Sequence, residues 1–292
     1  MTFQDHQVVV CIPAGRYRYL RVLLPYLLAE RNAEIVDRIE VWVNTDVKSD
    51  IEYFYRMQAT FPKIKCVPNP GPLDKALYDA QRDHWQFNDG IYRFYRPCVE
   101  DNTIYVKIDD DICYVHDDFF KNMLKAVLER EQTNYACVAN VFNIPYVTKV
   151  LQDNGTIGDA LGHSTADARC PVACTNGEFA AYIHGQFLDI AEKGDPKSLY
   201  FSSHFLMGRQ RVGTMAWTGK SFQQFNGNVG PRDEVELTTK IPESLMKPLW
   251  LVGDAVVCHF AFSHQRAVLE DQTDILQRYL DLSVRLNGDV AV

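Results

Sequence analysis

Nowhere does the 292-residue chain run through the ~18 consecutive apolar residues that a membrane span requires. Its start, MTFQDHQVVVCIPAG, also lacks a basic leader ahead of a long apolar stretch, so the expectation is a soluble cytoplasmic protein with no transmembrane segment. Positive charge is scarce too. The 30 Lys and Arg stand against 38 Asp and Glu, a net charge of -8, and no basic cluster suited to tracking phosphates is found. Nucleic acid is therefore not an expected partner. The eight cysteines include no CxxC pair, which excludes a zinc ribbon and points to free buried thiols. CIPAGR offers only Gly15 after the first strand, and neither GxxxxGKS/T nor GxSxG occurs, so the dinucleotide turn, the P-loop and the nucleophile elbow are all missing. There is no internal repeat, low-complexity tract or linker, which favours one domain.

What is present is a core: 47% of residues are hydrophobic and 12% aromatic. The first half alternates strand and helix signals. QVVVCIP reads as a strand, RYRYLRVLLPYLLAE as a helix with Leu20, Leu23, Leu24, Leu27 and Leu28 at helical spacing, and IVDRIEVWVNT as a second strand. SDIEYFYRMQATF predicts a helix begun by Ser49 or Asp50, KIKCVPNP a third strand and TIYVKIDDD a fourth. Beyond them come a helix in DDFFKNMLKAVLER and a strand in YACVANVF. Residues 143–213 carry scattered Gly, Pro and Asp and read as loops and short helices that shape a cleft. GTMAWTG is a short strand, RDEVELTT begins a helix, LWLVGDAVVCHFAF gives one or two strands, and HQRAVLEDQTDILQRYLDLSVRL one terminal amphipathic helix. Strands separated by helices imply an α/β fold with a mostly parallel sheet, whose ligands sit at the carboxyl ends of the strands.

At one such end stand Asp109, Asp110 and Asp111. Adjacent carboxylates repel, and either water or a cation has to offset the repulsion. Extended backbone would aim Asp109 and Asp111 to one side and Asp110 away, a pair suited to Mg2+ or Mn2+ shared with a bound phosphate. A solvated acidic turn is the plainer alternative, but apolar TIYVKI leads in and ICYV leads out, which holds the turn between buried segments. An EF-hand loop starting at Asp109 fails, since Cys113, Tyr114 and Phe120 stand where it needs an acid or amide, a glycine and a glutamate. Aspartyl phosphatases of the haloacid dehalogenase type want Thr or Val where Cys113 stands and set the motif on the first strand, which weakens that reading without excluding it.

Four pieces taken in order, VVVCIPAGRYRYL, IEVWVNTDV, KIDDDICYV and the distal pair RDEVEL and VVCHFAF, resemble nucleotide-sugar-dependent glycosyltransferases with a DxD motif. The resemblance implies a single GT-A domain, Rossmann-like and mixed with a mostly parallel sheet, spanning residues 1–292: a nucleotide-sugar half over 1–115 and an acceptor and catalytic half over 116–292. It implies Mn2+ or Mg2+ held by Asp109, Asp111 and His259. Pro13, Ala14, Gly15, Arg16, Asn44, Thr45, Asp46, Asp109 and Asp110 would line the nucleotide sugar, with Lys75 as a second cation for the diphosphate. A carboxylate from RDEVEL would be the base: Glu234 stands three residues before Leu237, as in the family, although the family's usual residue is Asp, and Asp233 stays beside it. Trp217 would stack on the acceptor sugar. The implied activity is transfer from a nucleoside diphosphate sugar, UDP ahead of GDP, to a hydroxyl of a glycan or glycolipid, with inversion. Phosphoryl transfer, by a nucleotidyltransferase or a phosphatase through Asp109, and a non-catalytic sugar-binding module remain the rivals.

Overall fold

The computed structural model describes residues 3–69 and 91–290; Lys75 lies outside the described residues. Its strands are β1 (Gln7–Ala14), β2 (Arg38–Val43), β3 (Ile64–Pro68), β4 (Thr103–Ile108), β5 (Ile112–Val115), β6 (Ala136–Phe142), β7 (His204–Leu206), β8 (Thr214–Thr218) and β9 (Leu249–His259). The helices longer than eight residues, among those described, are α1 (Tyr17–Leu28), α2 (Lys48–Thr60), α3 (Phe119–Arg130), α4 (Pro145–Asp153), α5 (Gly177–Glu192) and α6 (Ile275–Asn287).

The strands form one nine-stranded sheet in the order β3-β2-β1-β4-β8-β6-β9-β5, with β7 also on β9. β1 to β4 are parallel to their neighbours in that set, β6 is parallel to β9, and β8, β5 and β7 run antiparallel to the strands they join. The mixed α/β sheet flanked by helices is thus the one expected. Sequence alternation explains how it buries both faces: Val8, Val10 and Ile12 enter the core under α1, while Val9 and Cys11 enter an aromatic core with Trp42, Tyr95 and Trp217. β4 pairs with β8 and β5 with β9, so residues before and after 115 share one sheet. All eight cysteines are free and buried, and no helix among the described residues is long and apolar enough to cross a membrane.

Three elements differ from expectation. Inside the stretch read as irregular, α5 runs for 16 residues, started by the Asn176 side chain accepting from the Phe179 amide at 3.0 Å. The terminal helix is two pieces, Arg266–Asp271 and α6. The break falls at Thr273, whose hydroxyl donates to the Leu269 carbonyl at 2.6 Å and accepts from the Ile275 amide at 3.4 Å. α2 starts at Lys48, and Asp50, offered as a cap for its own helix, is buried and accepts instead from the Tyr17 amide at the start of α1, at 3.2 Å.

Candidate active site

The antiparallel strands bring the start of β8 and β5 to the same edge as the ends of β1, β4 and β9, and that edge carries most of the predicted residues. Residues 109–111 make a turn there instead of extended strand. The Asp109 amide donates to the Gly213 carbonyl at 2.8 Å, the Ile112 amide to the Asp109 carbonyl at 3.1 Å, and the Phe260 amide to the Asp111 carbonyl at 2.8 Å. The last bond places Asp111 beside His259. His184, buried in the core, faces the Phe260 carbonyl at 2.7 Å and Asn143 donates to it at 3.0 Å, so the segment after β9 is fixed from both sides.

Because 109–111 is a turn, the simple alternation of side chains does not hold. Asp110 is buried and points into the β1–α1 turn, where its Oδ2 accepts from the Gly15 amide at 2.8 Å and from Arg16 Nε at 3.3 Å. Arg16 Nη2 contacts Asp110 Oδ1 as well and reaches Asp111 Oδ2 at 3.0 Å. The same Asp111 oxygen lies 3.5 Å from Arg266 Nη2 and 3.7 Å from His259 Nε2. Asp109 turns the other way, onto Lys107 Nζ at 2.6 Å. The repulsion among the three acids is offset by guanidinium and ammonium groups of the chain itself.

These charges set the proton affinities. Burial opposes ionisation of Asp111, yet Arg16, His259 and Arg266 hold its pKa below the usual carboxylate range. Asp109 is pushed up to about 7, first by withdrawal from water and then by Asp111 and Asp233, against the pull of Lys107. Burial brings His259 down to about 4 despite Asp111. Its imidazole is therefore neutral near pH 7. Burial works against the Lys107 charge, but Asp109 and Asp233 win and raise its pKa.

His259 is 7% exposed, and its Nδ1 is buried without a hydrogen-bond partner. A neutral ring with a carboxylate oxygen 3.7 Å from Nε2 suits a pair of ligands on one divalent cation, whose remaining positions substrate phosphate oxygens and water can fill. Asp111 and His259 fit such an ion. No group of three or more His, Cys, Asp or Glu arranged to hold a metal occurs among the described residues, and the expected third ligand, Asp109, is engaged by Lys107 instead.

The other two candidate acids open the short helix that begins at Asp233. Glu234 is gripped on both oxygens: Arg209 donates to Oε1 from Nε and Nη2 at 3.0 and 2.9 Å, and Arg211 Nη1 to Oε2 at 3.0 Å. Asp233 accepts from the Tyr95 hydroxyl at 3.3 Å, and its charge acts on both Lys107 and Asp109. Burial and the nearby Asp233 and Asp109 raise the pKa of Tyr95, which keeps it a donor.

At the rim, Pro13 and Ala14 end β1, and the Ala14 carbonyl accepts from the Asn44 amide at 2.8 Å. Asn69 donates to the Asn44 side chain at 3.3 Å, Thr45 Oγ1 accepts from the Val47 amide at 3.2 Å, and Asp46 is exposed. Trp217 has to be corrected. It is fully buried, stacked on Phe222 at 4.2 Å and Tyr105 at 5.8 Å, with Nε1 donating to the Cys98 carbonyl at 3.3 Å, so it has no face for an acceptor sugar. It packs beside Tyr95, ring centroids 5.8 Å apart. Lys107, Arg209, Arg211, Tyr95 and Arg266 were not singled out from sequence as site residues. Lys107 left one sign, a lone cation in an otherwise apolar strand ahead of three acids.

No family model matches the chain, and no curated protein matches it. Among solved structures it is similar to a 4-diphosphocytidyl-2C-methyl-D-erythritol synthase at 12% identity, over 94% of this chain and 99% of that one, with a TM-score of 0.45. It is also similar to residues 1–349 of S. aureus TarS at 10% identity, over 97% and 74% of the chains, with a TM-score of 0.43. A further synthase of the first kind, from Anaerococcus prevotii DSM 20548, has 8% identity over 96% and 97%, with a TM-score of 0.41.

Proposed function

We propose that this chain is a glycosyltransferase that moves a sugar from a nucleoside diphosphate, UDP ahead of GDP, to a hydroxyl of a glycan or glycolipid, with inversion at the anomeric carbon. The observation that carries this reading is the meeting of Asp111, His259, Arg16 and Arg266 at one strand edge, beside Asp109, on which the charge of Asp233 acts.

Arg16 and Arg266 offer planar guanidinium forks matched to phosphate oxygens. Asp111 and His259 would hold Mn2+ or Mg2+ together with those oxygens, and the bound ion would take up negative charge growing on the departing diphosphate. Asp233 receives the proton of the acceptor hydroxyl as that oxygen bonds to the anomeric carbon and the bond from that carbon to the diphosphate breaks. Tyr95 orients the carboxylate through its hydroxyl. Glu234, preferred in sequence by its distance from Leu237, becomes a positioning residue because Arg209 and Arg211 occupy both its oxygens.

The test is incubation with a panel of nucleotide sugars and Mn2+, reading release of free nucleoside diphosphate. Asp233→Asn is expected to lower kcat by roughly 10²- to 10⁴-fold, and Glu234→Gln by less. Pyrophosphate released from a nucleoside triphosphate would favour nucleotidyl transfer. Glycan binding without nucleotide release would favour a non-catalytic module.

A further inference from the structure

We propose that Arg16 is the resident counter-ion of the aspartate turn, and that a divalent cation reaches Asp111 only in company with a nucleoside diphosphate that draws Arg16 away. This rests on the nucleotide reading above. The oxygen of Asp111 that faces His259 Nε2 at 3.7 Å is the one that Arg16 Nη2 contacts at 3.0 Å. An ion bonded to that oxygen at ~2.1 Å would stand against the guanidinium, with two like charges crowded on one acceptor. Arg16 and the ion therefore exclude one another unless a further anion arrives.

The build of Arg16 suits a side chain that transfers. Its backbone carbonyl is anchored by the Tyr19 and Leu20 amides at 3.3 and 3.2 Å, while the side chain stays 25% exposed at the lip of the site. The guanidinium carbon lies 5.0 Å from the Tyr19 ring, so that face is shared with an aromatic surface and not with the aspartates. Asp110 keeps the Gly15 amide when Arg16 moves, so the turn retains a partner. Arg266 Nη2, 3.5 Å from the same Asp111 oxygen, is the more distant of the two guanidiniums and opposes the ion less than Arg16 at 3.0 Å. His259 stays buried with Nε2 facing that oxygen at 3.7 Å.

The experiment measures Mn2+ binding to the full chain by electron paramagnetic resonance, with and without UDP or GDP and with protein-free nucleotide controls. The wild type should bind Mn2+ weakly alone and roughly 5- to 150-fold more tightly with the nucleotide. Arg16→Gln should bind Mn2+ without nucleotide, and Arg16→Lys, which keeps the charge, should resemble the wild type. Equal Mn2+ affinity in wild type and Arg16→Gln, with nucleotide still bound, overturns this inference alone. If Arg16→Gln does not fold, wild-type Mn2+ affinity that is indifferent to a bound nucleotide overturns it equally. No binding of either nucleotide under any condition overturns the functional reading as well.

Discussion

Withdrawal from water acts on Asp109 and His259 with opposite consequences for the proton. The Asp109 carboxyl moves from 3.8 up to about 7, so between those values the folded chain holds a proton that the unfolded chain has released, and stability falls as pH rises. The His259 imidazole moves from 6.5 down to about 4, so there the unfolded chain binds a proton that the folded one refuses, and stability rises with pH. In metal-free protein the two slopes oppose each other. Urea midpoints of Asp109→Asn should therefore climb from pH 4.5 to about 6.5, and those of His259→Gln should decline to about 7. A flat profile in both variants would contradict the shifted proton affinities of the half-buried Asp109 and the buried His259. The pairing of Asp111 with His259 was legible in the order of motifs along the chain. The partners of the acids were not, because Arg266 reaches Asp111 from a separate helix and Arg16 from a separate turn, and no local spacing records such a meeting. Trp217 was misread for a related reason: an aromatic in a strand looks the same whichever layer its face meets.

Elements deliver those residues, and β9 delivers His259 at its end. Its pairing with β6 shifts register between Ala139 and Asn140, leaving a bulge that the Asn140 side chain satisfies by donating to the Gly253 and Leu199 carbonyls at 2.8 and 2.9 Å. The bulge lets one strand of 11 residues cover LWLVGDAVVCH, where the sequence allowed one or two. Asn140→Ala takes the side-chain donor from the Leu199 carbonyl and leaves the Gly253 carbonyl only the Phe201 amide at 3.3 Å, and should cost about 1–3 kcal/mol, read as a lower urea midpoint at unchanged slope. An unchanged midpoint would show that the bulge holds without it. α5 escaped sequence reading because Gly177 and Gly185 dilute its helix propensity, although Phe179, Ile183 and Phe187 recur every four residues. Its burial depends on the β5 and α6 layers, which composition alone does not reveal: Phe187 meets Tyr114 at 5.2 Å and Tyr279 at 6.1 Å.

At the scale of the molecule, one sheet joins the two stretches that bear the chemistry. The strand periods and the helices between them made the α/β architecture readable, since both faces of β1, β4 and β6 are buried and their sequences are nearly unbroken apolar runs. The antiparallel insertion of β8 was less readable, yet it carries Gly213 against Asp109 and fixes the turn. On a chain of net charge -8, Arg16, Lys107 and Arg266 gather at this edge, the local setting that the proposed diphosphate would need. Calorimetric titration of UDP and GDP into the protein with Mn2+, repeated on Asp111→Asn, probes that setting most directly. One of the two nucleotides should bind the wild type, and at least about tenfold more weakly to the variant. Equal binding to both proteins, or no heat from either nucleotide, would contradict a diphosphate site built around Asp111.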